Sequence, residues 1–148
     1  MNLATYPDPI LNRVARDVRN DELDEVKSLI DEMLNIMYTG DGVGLAAPQV
    51  GDSRRFILVD HSAGEDAKAL RIMINPKFVS KSDKKELGYE GCLSVPGKRV
   101  QVARHASVVV EYFDALTSSR VATLITGFEA RIVQHEIDHL DGITLVDK

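Results

Sequence analysis

Residues 127–140 read GFEARIVQHEIDHL, and their pattern predicts a helix. Thr126 and Glu129 have the three-residue spacing of a capping box, which predicts where the helix begins. The dipeptide Asp141-Gly142 predicts its end, because glycine readily takes the left-handed conformation that stops a helix. One stripe of this helix contains Phe128, Ile132, His135 and His139. The stripe predicts that both histidines are buried against the rest of the protein.

The two histidines of this helix have the spacing of a metal site. His135, Glu136 and His139 form the pattern H-E-x-x-H, in which histidines four residues apart point from one helix face toward a single ion. The glutamate between them can reach a water molecule bound to that ion. The alternative is a pair of structural histidines on a buried stripe, but the pattern favours a metal. A catalytic metal also needs a third protein ligand and one open position.

The third ligand is predicted to lie upstream of the helix. The longer pattern H-E-x-x-H-x-x-G-x-x-H fails because Leu145 stands where the last histidine belongs, and no glutamate follows His139. Cys92 is the favoured candidate, because nearby glycines allow close backbone approach and its thiolate is a strong ligand. An inert buried cysteine is the competing interpretation. His61, His105 and the upstream carboxylates are the other candidates, and we predict that both histidines lie at the surface.

The rest of the chain predicts an early helix followed mainly by strands. Apolar side chains recur at steps of three and four over residues 21–38, and Gly40-Asp41-Gly42 ends this amphipathic helix. Residues 1–20 predict an extended arm, and a loop is predicted through Gly88, Gly91, Pro96 and Gly97. Strands are predicted over residues 55–60, 70–75, 78–81, 107–113 and 120–125, the second ended by Asn75-Pro76 and the last two paired as a hairpin. This order favours an antiparallel α+β fold over alternating βαβ units.

The segment GVGLAAPQ, residues 42–49, superficially fits the glycine pattern of a dinucleotide-binding loop. That fingerprint needs a strand before it and a helix after it, whereas here a predicted helix precedes it and Pro48 lies within it. We therefore reject nucleotide binding. The small residues predict an extended loop on which a substrate backbone can lie, and Gln49 offers an amide donor. A plain turn with a buried glutamine is the competing interpretation.

Composition excludes several classes of protein. The 148 residues have the size of about one domain. Their 18 lysines and arginines against 23 aspartates and glutamates give a net charge of −5, which argues against nucleic-acid binding. The single cysteine cannot form an intrachain disulfide, which fits a reducing compartment. No stretch resembles a signal peptide or a membrane span, so we expect a cytoplasmic protein without membrane association.

Three segments together resemble the signature motifs of peptide deformylase. They are residues 42–49 (GVGLAAPQ), 90–94 (EGCLS) and 134–142 (QHEIDHLDG), in the order of that family. The resemblance covers essentially the whole chain and implies a single catalytic domain over residues 1–148. It implies an α+β fold with antiparallel or mixed β-sheets packed around a central C-terminal helix that carries the H-E-x-x-H pattern, and with an N-terminal amphipathic helix.

The resemblance also implies an activity. The family removes the formyl group from the N-terminal formyl-methionine of newly made peptides and releases formate. It uses one divalent metal ion, natively Fe(II), with Zn, Ni or Co as substitutes. The expected partners are N-formylmethionyl nascent peptides, and contact with the ribosome exit region is a further possibility. Many bacterial members continue into a C-terminal helix beyond the last motif, whereas only six residues follow Gly142 here, which puts docking through such a helix in doubt.

The resemblance assigns roles to particular residues. The metal ligands that it implies are Cys92, His135 and His139, and Glu136 is implied as the general base and acid when a metal-bound water attacks the formyl carbon. Gln49 and the backbone N–H of Leu93 are implied to stabilise the oxyanion. The implied substrate-binding residues are Val43, Gly44, Glu90, Arg99, Phe128, Arg131 and Ile132.

Two other functions compete with this hypothesis. One is a metallopeptidase that uses the same water molecule to cleave internal amide bonds. The other is a non-catalytic protein whose metal merely holds the fold, as four-coordinate structural sites do. Glu136 and Gln49 favour an enzyme, because a structural metal site needs neither residue.

Overall fold

A computed structural model describes all residues from Met1 to Lys148. It contains two helices, α1 (Leu23–Thr39) and α2 (Gly127–Leu140), and short 3-10 turns. The seven strands are β1 (Gly44–Ala46), β2 (Phe56–Val59), β3 (Arg71–Lys81), β4 (Lys85–Cys92), β5 (Val95–His105), β6 (Ser107–Asp114) and β7 (Ser119–Thr126). Both helices are thus found where the sequence predicted them. No helix is both long enough and apolar enough to cross a membrane.

The strands form two antiparallel sheets. The larger has the order β1-β2-β3-β6-β7, and β4 pairs with β5 in a separate two-stranded sheet. The predicted class, α+β with antiparallel sheets and a helix near each end of the chain, is confirmed. The predicted hairpin at residues 107–125 is β6 paired with β7.

The two helices cover opposite faces of the larger sheet. Strand β2 shows this directly, because all four of its side chains are buried and successive side chains point to opposite faces. Phe56 and Leu58 pack in the cluster that includes Met33 of α1. Ile57 packs in the other cluster, with the apolar side chains of α2. Helix α2 is therefore enclosed by protein, and nine of its side chains are buried.

Glycine and proline misled the prediction at three places. The strand predicted to stop at Asn75-Pro76 continues as β3 through an irregularity, where Asn75 has φ 52°. The Asn75 carboxamide holds both backbone groups of Val18, with N···O distances of 2.8 and 2.9 Å. The loop predicted through Gly88 and Gly97 is instead the β4–β5 hairpin, and the extended loop at residues 44–46 is strand β1.

The start and end of α2 are fixed by contacts that the capping signals do not describe. The predicted capping box is wrong, since Thr126 makes no side-chain capping bond and Glu129 pairs instead with Arg71 at 2.9 Å. At the other end, Gly142 has φ 76°, as predicted for a helix stop. A Cβ at Gly142 would lie only 2.7 Å from the backbone oxygen of Asn12. The N-terminal arm is therefore packed directly against the end of α2.

Candidate metal centre

Helix α2 places its two histidines and one glutamate together in the protein interior. His135, Glu136 and His139 are 8%, 4% and 1% exposed. The two imidazole rings lie edge to face with their centres 5.0 Å apart. This burial agrees with the stripe predicted from the sequence, although Phe128 at its N-terminal end is exposed.

Cys92 joins the histidines from the end of β4. One donor atom from each of Cys92, His135 and His139 lies within 4.8 Å of the other two, and Cys92 Sγ is 3.3 Å from His139 Nε2. A tetrahedral ion with ordinary metal–sulfur and metal–nitrogen bonds places two such ligands ~3.5 Å apart. The three side chains therefore fit a divalent metal. The other predicted candidates lie elsewhere, since His61 is exposed and His105 bonds the Ser82 carbonyl oxygen.

A buried carboxylate fixes the orientation of His135. Glu90 Oε1 lies 2.9 Å from His135 Nδ1, which leaves Nε2 to face the metal position. Both oxygens of Glu90 also accept hydrogen bonds from Arg104, and Oε2 accepts one from Arg131. Burial alone would raise the pKa of Glu90, but these partners outweigh it and lower that pKa to about 2. Glu90 therefore stays ionised as an acceptor for His135.

Arg104 is the residue of this network that sequence reasoning missed. It is 5% exposed, lies in β5, and donates to both Glu90 and Asp138. Residues two apart in a strand lie on the same face, so Arg104 points inward together with the buried Val102. The signal was hidden because residues 95–97 predicted a loop rather than the start of a strand.

Glu136 has a free oxygen atom. Its Oε1 is buried and has no hydrogen-bond partner. The same is true of His139 Nδ1. Buried polar atoms are rarely left unpaired, so a bound partner is expected beside the Glu136 oxygen. Burial raises the pKa of Glu136 to about 7. A carboxyl group with such a pKa can both take and give a proton near neutral pH.

The pKa values of the two histidines also suit a cation. Burial lowers the pKa of His139 to about 3, so its imidazole is neutral, as a ligand must be. Burial also opposes the charged form of His135. The charge of Glu136 and the hydrogen bonds with Cys92 and Glu90 outweigh this effect and raise the pKa of His135 to about 10. The surroundings of His135 therefore favour positive charge, and a divalent ion competes with that proton.

An open cavity of about 650 Å³ leads to this centre. All the residues for which the resemblance implied a role in substrate binding or oxyanion stabilisation lie on its wall, together with Cys92, His135 and Glu136. His139 lies behind the wall. Gly44 is essential to the shape, because a Cβ there would lie 2.5 Å from Glu136 Oε2. The guanidinium of Arg131 is held by Glu90, Val102 and Glu86.

Gln49 and Leu93 approach the centre from different elements. Gln49 is 1% exposed, and its Nε2 lies 3.6 Å from Cys92 Sγ. Leu93 is in the tight turn between β4 and β5. Its side chain packs on the chain after α1, where a Cβ at Gly40 would lie 2.7 Å from Leu93 Cδ2. The turn that follows Cys92 is thereby fixed in place.

A Cys–His–His group with an adjacent buried glutamate, at the base of an open cavity, defines the class of metal-dependent hydrolases. Comparison with known proteins makes this more specific. The family model described as polypeptide deformylase matches residues 1–148. A peptide deformylase of Natranaerobius thermophilus is 45% identical over 148 residues, which is 99% of this chain and 90% of that protein. The chain belongs to the polypeptide deformylase family.

Solved structures show the same relationship. The crystal structure of a probable peptide deformylase from Synechococcus phage S-SSM7 superposes with a TM-score of 0.91 at 41% identity, covering 99% of this chain and 97% of that one. A class I type b peptide deformylase from Acinetobacter baumannii, bound to Met-Ala-Ser, has a TM-score of 0.90 at 38% identity, with 99% and 96% covered.

Proposed function

We propose that this protein removes the formyl group from the N-terminal formyl-methionine of newly made peptides and releases formate. The observation that carries the proposal is the Glu136 carboxylate, whose Oε1 has no hydrogen-bond partner, beside the Cys92, His135 and His139 group at the base of an open cavity. The A. baumannii relative binds Met-Ala-Ser, a peptide that begins with methionine.

Cys92, His135 and His139 would hold one divalent ion, natively Fe(II), with Zn, Ni or Co as substitutes. A mixed set of one thiolate and two imidazoles suits all of these ions. When bound, the ion acts as a Lewis acid and makes water a usable nucleophile near neutral pH. Three protein ligands leave a coordination position open, as catalytic sites require.

Glu136 is the proton carrier in this mechanism. Its carboxylate takes a proton as water attacks the formyl carbon, and the raised pKa of Glu136 keeps that proton available. The same oxygen then gives the proton to the amine that leaves. Both transfers need Glu136 to stay close to the reacting atoms. Gly44 leaves room for the Glu136 carboxylate there, because it has no Cβ.

Negative charge on the formyl oxygen is stabilised by Gln49 and by the backbone N–H of Leu93. Each lies on the cavity wall beside Cys92. Removing one such donor typically costs ~10²–10³ in rate. The peptide backbone itself can align with β1, which is an edge strand paired only with β2, so its other edge is available for hydrogen bonds.

The methionine side chain would enter between the apolar residues of the cavity wall. Val43, Phe128 and Ile132 supply apolar contacts there, and the Arg131 stem continues that wall. Glu90 acts on this region through Arg131 and His135. Arg99, at the outer part of the same wall, would contact the peptide backbone.

We further propose that residues 1–148 act as one catalytic domain in the cytoplasm, on nascent peptides near the ribosome exit. A reducing compartment keeps the Cys92 thiolate available as a ligand. The net charge of −5 disfavours direct binding to RNA. Ribosome contact is testable by cosedimentation of the protein with translating ribosomes. If the protein no longer sediments with ribosomes when formylated peptide is added, it binds only the nascent substrate.

The deciding experiment measures formate release from a short formyl-methionyl peptide by Fe(II)-loaded protein without oxygen. The matching acetylated peptide is the control for formyl specificity. We expect chelator-sensitive formate release. We expect Glu136→Ala to retain the metal and lose most of that activity. A folded, fully loaded protein that releases no formate would refute the proposal, and cleavage of internal amide bonds would identify a peptidase instead.

A further inference from the structure

The carboxamide of Gln49 is held on one side by Ala46 and Ser94 and lies on the other side beside Cys92, at the metal centre. Its Oε1 accepts a hydrogen bond from the backbone N–H of Ala46 at 2.9 Å, and its Nε2 donates to Ser94 Oγ at 3.0 Å. The Ala46 N–H can only donate, which assigns the oxygen to that side of the carboxamide and the NH₂ group to the other. The second N–H points toward Cys92 Sγ, 3.6 Å from Nε2, and therefore faces the metal centre.

Ser94 reaches Gln49 from outside the cavity. It is 0% exposed and does not line the cavity wall, so it cannot touch a substrate there. Its hydroxyl is the only side-chain group other than Cys92 that Nε2 of Gln49 contacts. Without this hydroxyl, the Gln49 carboxamide would keep its bond to Ala46 but would lose the contact that fixes its rotation.

The N-terminal arm ties the same two residues together through their backbones. Ala4 N–H donates to the Gln49 carbonyl oxygen at 2.6 Å, and Tyr6 N–H donates to the Ser94 carbonyl oxygen at 2.8 Å. Gln49 and Ser94 belong to segments 45 residues apart in the chain. Their alignment is therefore built into the fold twice, once by side chains and once by the arm.

We propose that Ser94 is a positioning residue for Gln49, and that its hydroxyl directs the other Gln49 N–H, the one beside Cys92, toward the oxygen that gains negative charge in the reaction. The inference rests on the proposed function, in which Gln49 stabilises that oxygen. Ser94 acts only through Gln49. Its removal should therefore weaken stabilisation of the transition state and leave substrate binding in the ground state unchanged.

The test compares Ser94→Ala, Gln49→Ala and the double variant in the metal-loaded protein. We expect Ser94→Ala to lower kcat ~10–100-fold, as loss of a supporting hydrogen bond typically does, with KM close to that of the parent. Gln49→Ala should lower kcat ~10²–10³-fold. The double variant should be no slower than Gln49→Ala, because Ser94 has no other route to the reaction. Ser94→Thr, which retains a hydroxyl, should recover part of the lost kcat.

A second readout is independent of turnover. In Zn-loaded, ¹⁵N-labelled protein, the two side-chain N–H signals of Gln49 are identified by their loss in Gln49→Ala. They should be sharp and well separated in the parent, and they should broaden or merge in Ser94→Ala. Thr144→Val is the matched control, since it removes a buried hydroxyl whose hydrogen bonds lie beyond α2. Its effect on the Gln49 signals and on kcat should be negligible.

The outcomes distinguish an error in the role of Gln49 from an error in the assignment of Ser94. Parent-like kcat in Gln49→Ala would refute the role of Gln49 in the proposed function, and the assignment of Ser94 with it. A slow Gln49→Ala beside an unimpaired Ser94→Ala would overturn only the assignment of Ser94. Multiplicative losses in the double variant would also overturn it, because they would show that Ser94 acts independently of Gln49.

Discussion

Adding one methyl group at Gly44 should displace the catalytic carboxylate without touching the metal ligands. A Cβ at this position would lie 2.5 Å from Glu136 Oε2, 2.8 Å from Ile132 Cγ2 and 2.9 Å from Glu136 Cγ. Ordinary non-bonded contact is ~3.5 Å, so Glu136 must withdraw by about 1 Å. A misplacement of ~1 Å can lower a rate ~10²-fold, equivalent to ~2.7 kcal/mol in the activation barrier.

The assay for Gly44→Ala is formate release at saturating peptide, with metal content and urea unfolding measured on the same sample. We expect full metal occupancy with kcat reduced ~10²-fold. Gly91→Ala is the comparison, because a Cβ there would meet nothing closer than the Lys98 carbonyl oxygen at 3.9 Å. Its effect should be much smaller. Parent-like kcat in a folded, fully loaded Gly44→Ala protein would refute the reasoning that ties the position of Glu136 to the open space at Gly44.

Three further changes have distinct expected results. Cys92→Ser should weaken metal binding or change metal preference, and unchanged metal content after dialysis would contradict its role as a ligand. Arg104→Leu leaves Glu90 with less charge compensation in the interior and should lower the free energy of unfolding by ~3–5 kcal/mol in urea titrations; a loss below ~1 kcal/mol would contradict this. For Asp60, burial would raise the pKa, but hydrogen bonds from Ser62 and Tyr38 outweigh it and lower the pKa below its ordinary value. The stabilisation is therefore present above the unfolded pKa of ~3.9 and is lost as the pH falls below it, so Asp60→Asn should be less stable at pH 7 and the difference should shrink toward pH 3.

The helices and the β6–β7 hairpin could be predicted because their signals are local. Apolar periodicity identified α1 to within two residues at each end, and the predicted bounds of α2 match the structure although the capping box that predicted its start does not form. The β4–β5 hairpin could not be predicted, since its glycines and proline indicated a loop. Gly88 has a tertiary reason to be there: a Cβ would lie 2.9 Å from the Arg131 guanidinium carbon, so the guanidinium would have to shift. Pro96 is tolerated because it lies at the start of β5, in a sheet of only two strands.

The candidate site also has a part that the sequence predicted and a part that it did not. Three motifs with strong residue patterns predicted the ligand group that the structure brings together around Cys92. The supporting residues were missed, because a buried arginine such as Arg104 or a serine such as Ser94 has no signature outside its tertiary contacts. Gln134 illustrates this. Its carboxamide bonds both backbone groups of His105 at 2.9 Å and joins α2 to β5, which the motif alone does not reveal.

Gly142 belongs to the last motif, but its role there is structural. It does not line the cavity, yet any side chain there would collide with the backbone of Asn12, 130 residues earlier in the chain. Selection on this glycine would therefore act on how the chain's first and last segments meet. A lineage that rerouted its N-terminal segment would be free to change Gly142 and retain full activity. Loss of this glycine in a relative would accordingly be a sign of altered architecture, and poor grounds for calling that relative inactive.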